Sequence, residues 1–152
     1  MKNHLNALTS VDAIKTEYYK AHAYWRNVLG LERWRVCLNE GAVQGGFAEC
    51  YADPKYRLAN ISFDAAAMLG GKFSQLHVES TALHELVHII VWPLANDVCS
   101  PKVPERTISY FEERLVEAIT QSMLRTKYGS DNHRLEKLWT SCVNTLPSHA
   151  NE

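Results

Sequence analysis

The sequence predicts an α+β fold in a single domain spanning residues 1–152. Three observations carry this. Apolar side chains recur at helical spacing over the first thirty residues. Residues 33–63 then switch to short runs punctuated by Gly and Pro. Beyond Gly70-Gly71 the helical spacing returns. A hydrophobic content of 46% against 22% charged supports a packed core rather than a disordered chain.

The first helix is expected over Leu8–Leu31. Thr9 or Ser10 can cap it, and Val11, Ile14, Tyr18, His22, Trp25 and Val28/Leu29 mark its apolar face. Gly30 can end it. Strands are expected over Arg33–Asn39, Phe47–Ala52 and Leu58–Phe63, separated by Gly41, Gly45-Gly46 and Asp53-Pro54. Short connections between them predict an antiparallel meander. A helix follows over Val78–Leu94, with Pro93 at its end. Asn96–Pro104 reads as a loop, Glu105–Tyr128 as a long helix stopped by Gly129, and Asn132–Thr145 as a last helix.

Composition excludes several classes of function. Sixteen basic residues against seventeen acidic give a formal charge of −1, so bulk electrostatics do not favour nucleic acid. A local patch of Arg33, Arg35, Lys55 and Arg57 is the one basic cluster to note. No run approaches the roughly 18 apolar residues of a membrane span, and residues 1–8 lack the apolar stretch of a secretory signal. Cys37, Cys50, Cys99 and Cys142 form no CxxC pair and are expected to be reduced, mostly buried thiols. A cytoplasmic location is expected.

The chemistry concentrates in His84-Glu85-Leu86-Val87-His88, an HExxH motif on an apolar helix. Two histidines four apart differ by about 40° around a helix and by one turn along it, so both imidazoles can grip one ion. Glu85 is about 100° round from His84, placed to reach an activated water as general base. Buried without a partner, such polar groups on so apolar a helix would be costly. The pattern predicts a zinc site with His84 and His88 as ligands. His77, seven positions earlier, is expected to be a surface histidine near the helix start. His4 and His149 are expected to be solvated, and Trp25, Trp34, Trp92 and Trp139 to line the core or a groove.

A catalytic zinc usually takes three protein ligands. The next histidine after His88 is His133, which excludes HExxHxxGxxH. Asp97 lies across Pro93 and is the weaker source. The better source is the helix bearing Glu112-Glu113 and Glu117. Glu113 and Glu117 are one turn apart, opposite a Phe111/Leu115/Ile119 stripe. One can bind metal while the other accepts a ligand histidine's ring N–H. Glu112 lies nearer the apolar stripe and is the third choice.

HExxH followed by a glutamate on the next helix resembles the gluzincin plan of zinc metallopeptidases. The short chain is similar to the minimal single-domain zincins of phages and prophages, and to ImmA-like metalloprotease domains. In gluzincins the ligand glutamate is commonly followed, four residues on, by a group supporting a ligand histidine. That resemblance implies Glu113 as the metal ligand, Glu117 as the support, and Leu115, Ala118 and Ile119 as packing residues. It implies a zincin-like fold, Zn²⁺, a peptide or protein substrate, and the cytoplasm of a bacterial or phage-infected cell. It also implies that a strand such as Leu58–Asp64, just before the metal helix, serves as the edge that holds the substrate. SprT-like proteins share the sheet and HExxH helix, but their third histidine and zinc-ribbon cysteines are missing here.

On this reading Glu85 relays a proton from water to the leaving amine. Tyr110, Tyr128 and His133 are the candidates for stabilising the oxyanion. Two other readings use the same residues: a non-proteolytic zincin-fold regulator that binds a protein partner, and a zinc amidohydrolase acting on a non-protein amide.

Overall fold

The structure is a computed structural model that describes residues 6–44, 46–93 and 103–129. The chain divides into two compact units, Met1–Thr120 and Gln121–Glu152. The first unit holds α1 (Val11–Val28), β1 (Arg35–Glu40), β2 (Ala48–Asp53), β3 (Leu58–Phe63), α2 (Ala65–Gly70), α3 (Gln75–Pro93) and most of α4 (Glu105–Tyr128). In the second unit, the end of α4 is closed by Gly129 at φ 89°, whose N–H donates to the Arg125 carbonyl at 2.8 Å. Left-handed φ at that position is what glycine supplies without strain. The helix expected over Asn132–Thr145 lies outside the described residues.

The expected α+β arrangement holds, but the sheet is mixed rather than an antiparallel meander. Its strand order is β1-β3-β2. β3 runs parallel to β1, with Arg35 opposite Leu58 and Glu40 opposite Phe63. It runs antiparallel to β2, with Ala48 opposite Phe63 and Asp53 opposite Leu58. The physical reason lies in residues 41–47. That connection is long enough to carry the chain past a strand position, whereas the tight turn at residues 54–57 forces β2 and β3 into a hairpin. β3 takes the centre because its alternation is the cleanest: Ala59, Ile61 and Phe63 are fully buried. The segment expected at the sheet edge, Leu58–Asp64, is therefore interior, and β2 is an edge strand.

One face of the sheet carries the core. The Tyr18 ring of α1 stacks on Phe63 with centroids 4.0 Å apart. Ile14 and Trp25 of α1 are buried, and the Trp25 indole N–H donates to Glu79 Oε1 of α3 at 2.8 Å. Glu40, at the end of β1, receives the Tyr19 hydroxyl at 2.6 Å and the Lys15 ammonium. α3 is buried almost all round, from Leu76 to Val91, so its stability comes from packing rather than from an amphipathic stripe.

Two helix starts escaped the sequence reading. Asp64 caps the short α2 by accepting from the Ala67 N–H at 2.8 Å. α3 begins three residues earlier than expected, because Ser74 and His77 cap it reciprocally. Ser74 Oγ lies 2.8 Å from His77 Nδ1, and the Ser74 N–H donates to that nitrogen at 3.2 Å. His77 is thus a half-buried cap packed on Phe73, not a surface histidine, and burial lowers its pKa.

Candidate metal centre

α3 presents His84 and His88 one turn apart on the side that faces α4. Their Nε2 atoms are 3.2 Å apart. Glu113 of α4 bridges them, with Oε2 at 3.4 Å from His84 Nε2 and Oε1 at 3.3 Å from His88 Nε2. A tetrahedral ion with bonds of about 2.0 Å spaces its ligands about 3.3 Å apart. The separations, two of them to different oxygens of Glu113, are close to that spacing, and two imidazoles with a carboxylate are a donor set that several divalent metals accept. Among the described residues, His84, His88 and Glu113 form a group of metal-competent donors within 4.8 Å of one another.

A carboxylate stands near the far nitrogen of each imidazole. His88 Nδ1 is 2.9 Å from Glu112 Oε1, with both side chains only 11% exposed. His84 Nδ1 is 3.8 Å from Glu117 Oε2. A carboxylate behind the distal nitrogen fixes the tautomer and turns Nε2 towards the shared point. The sequence placed Glu117 in that role but left Glu112 as a spare ligand; its position on the wheel, nearer the packed face than Glu113, was the available signal.

That packed face is not the one expected. Val116 and Thr120 are buried, at 0% and 1% exposure. Phe111 is 64% exposed and Leu115 42%, and Ala118 is exposed too. The helix is rotated so that Glu112, Val116 and Thr120 face inward. The rotation carries Glu112 to His88 and leaves Glu113, 59% exposed, at the open rim of the site.

Electrostatics mark the same cluster. Burial alone would lower the His88 pKa, but Glu113 and Glu112 raise it to about 9. The hydrogen bonds of His84 and His88 hold Glu113 far below the usual carboxylate range. Glu85, 5% exposed, has its pKa raised by burial, against the opposing pull of both histidines. Burial pushes the Tyr18 hydroxyl and the Cys50 thiol up, and the Glu85 carboxylate adds to both. Glu85 is thus a buried carboxylate on α3. The carboxylates of Glu112, Glu113 and Glu117 gather round the two imidazoles, an arrangement that favours a cation.

Tyr110 is 59% exposed, one turn before Glu113. Tyr128 belongs to the second unit, and Asp97, His133, His4, His149 and Trp139 lie outside the described residues. Cys37 and Cys50 are free half-buried thiols; Cys99 and Cys142 are not among the described residues. No helix among the described residues is long and apolar enough to cross a membrane. Comparison with family models, curated proteins and solved structures returns no match, so the site rests on its own geometry.

Proposed function

We propose that this chain is a zinc-dependent peptidase of gluzincin type. The observation that carries the reading is the convergence of His84 Nε2, His88 Nε2 and the Glu113 carboxylate, with Glu112 behind one imidazole and Glu117 near the other. His84, His88 and Glu113 would hold the ion. When bound, zinc supplies Lewis acidity, lowering the pKa of water towards about 7 and polarising a carbonyl.

The remaining work belongs to the chain's own residues. Glu85 takes a proton from the attacking water and passes it to the leaving amine. Burial raises its pKa above the ordinary carboxylate value, which suits a group that must both accept and release a proton. The free edge of β2, against which α3 packs, offers backbone groups to an extended peptide. β2 takes the substrate-holding role that the sequence reading gave to Leu58–Asp64. Of the oxyanion candidates, Tyr110 is exposed one turn before Glu113 on α4.

Elemental mass spectrometry on protein purified without added zinc tests the reading. One zinc per wild-type chain, lost in Glu113→Gln, is expected. Glu85→Gln should retain the metal and lose hydrolysis of a peptide pool. A wild-type chain that takes up no zinc even on addition would sink the enzyme and leave a scaffold that binds a partner.

A further inference from the structure

The β2–β3 turn and the start of β1 gather cations at one end of the sheet. The Arg35 N–H donates to the Arg57 carbonyl at 2.8 Å, and Arg35 stands opposite Leu58 in the ladder. Lys55 and Tyr56 occupy the adjoining turn, and Arg33 precedes Arg35 by two positions. Arg33, Arg35, Lys55 and Arg57 are all exposed, and none forms an ion pair among the described residues. The carboxylates nearest in the chain are Glu32 and Asp53, and Asp53 Oδ1 is engaged by the Tyr56 N–H at 3.3 Å. Four cations against two carboxylates is a local reversal of the chain's formal charge of −1. Arg57 holds φ 50°, a left-handed conformation that Gly or Asn fills with less strain. The turn thus keeps a guanidinium where backbone chemistry alone would not choose one.

We propose that this end of the sheet is a docking surface for an acidic segment of the substrate, continuous with the edge of β2. The proposal rests on the peptidase reading. Its position gives it a register. Tyr51 meets Trp92, one turn beyond His88, with ring centroids 5.9 Å apart. β2 then runs on to Asp53 and the turn. An extended peptide advances about 3.3 Å per residue, so side chains roughly three to five positions beyond the one beside Tyr51 reach the turn of Lys55 and Arg57; Arg35 lies past that turn, on the strand across β3 from β2. An acidic peptide suits the surface better than nucleic acid does. A long phosphate backbone following the same edge would run onto Glu49 and the carboxylates of the metal centre, whereas a short acidic run followed by neutral residues would not.

Fluorescence anisotropy on zinc-loaded Glu85→Gln tests the surface directly. The probes are a labelled peptide carrying three consecutive glutamates, the same peptide with three glutamines, and a ten-residue oligothymidylate. Three exposed ion pairs worth about twofold each predict a five- to tenfold preference for the glutamate peptide. The preference should vanish near 0.5 M salt, where the screening length falls to about 4 Å. It should also vanish in a quadruple variant, Arg33→Gln, Arg35→Gln, Lys55→Gln and Arg57→Gly, whose fold and zinc content are checked by circular dichroism and elemental analysis. Equal binding of the two peptides, or a preference that survives the quadruple variant, would overturn the proposal. Tighter binding of the oligothymidylate than of the glutamate peptide would replace it with a nucleic-acid surface. Cleavage by the wild-type enzyme separates the two layers. Both peptides cleaved at the same kcat/KM retires the docking surface and keeps the peptidase. A binding preference with neither peptide cleaved keeps the surface and removes the peptidase.

Discussion

Replacing Glu112 with glutamine or alanine separates a ligand from the group that orients one. Glu112 Oε1 is 2.9 Å from His88 Nδ1, with both side chains 11% exposed, so solvent screens the pair little. A hydrogen bond to a charged group contributes about 1.5–3 kcal/mol. Glutamine keeps the shape and an acceptor oxygen and loses the charge, a loss of about 1.4 kcal/mol or tenfold in zinc affinity. Alanine also strands the Nδ1–H, and the loss should approach 100-fold. Glu117 lies 3.8 Å from His84 Nδ1, beyond direct hydrogen bonding, so Glu117→Gln should weaken zinc by about threefold or less. Glu113→Gln removes a ligand and should cost the most. Competition against a chromophoric chelator at fixed pH gives the four dissociation constants. The order Glu113, then Glu112, then Glu117 is the expected one. A Glu112→Gln protein that loses more affinity than Glu113→Gln would exchange the two roles. Unchanged affinity in both Glu112 variants would refute the orienting role altogether.

His22 is 6% exposed, its Nε2 has no hydrogen-bond partner among the described residues, and burial lowers its pKa to about 4, with Arg26 adding to the effect. Its neutral form is the folded form, so its contribution is intact above the unfolded value near 6.5 and is lost as pH falls through 4, on the order of 3 kcal/mol. Denaturant melts in chelator should therefore show less loss of stability over this window in His22→Phe than in the wild type; parallel losses would remove His22 from the account. The Tyr18 hydroxyl is buried without a partner, so Tyr18→Phe should be neutral or raise stability by up to about 1 kcal/mol. A clear drop in melting temperature would reveal a partner for that hydroxyl. On α4, Val116→Ala should cost about 2 kcal/mol and Phe111→Ala no more than about 0.5, since Val116 is 0% exposed and Phe111 64%. The reverse ranking would return the helix to the rotation its sequence suggested.

The elements most legible in the sequence are those whose signal is local. α4 spans Glu105–Tyr128 and β3 spans Leu58–Phe63, the bounds read from the sequence, because capping, Gly129 and strict alternation act within a few residues. Strand order was not legible, because pairing depends on which strand buries the most surface. Ala59, Ile61 and Phe63 win the centre by meeting Tyr18 and the helices, a contact no window of residues contains. The rotation of α4 was misread for a related reason. Phe111, Leu115 and Ile119 form the more apolar stripe, so composition alone turns that side inward. In the structure the side turned inward is the one that meets the imidazoles of α3. Directing Glu112 and Glu113 at His88 and His84 brings Val116 and Thr120 along as the buried positions.

That choice implies that the site, more than the apolar stripe, sets how α4 docks. Two apolar faces of similar width compete on this helix, and the face carrying Glu112 and Thr120 is the more polar one to bury. Hydrogen bonds offset that cost for Glu112, at 2.9 Å from His88. Thr120 Oγ1 is buried without a partner among the described residues, so the cost there is not recovered among them. A divalent cation held by His84, His88 and Glu113 would contribute, since anything that binds the folded arrangement alone stabilises it by mass action. A carboxylate-rich centre of this kind should therefore couple metal to helix docking. Zinc should raise the melting temperature and slow amide exchange in α4 around Val116 more than in β3, whose protection comes from the sheet and from Tyr18. Equal protection of the two elements with and without zinc would mean that α4 docks on packing alone, and that the metal centre is a passenger on it.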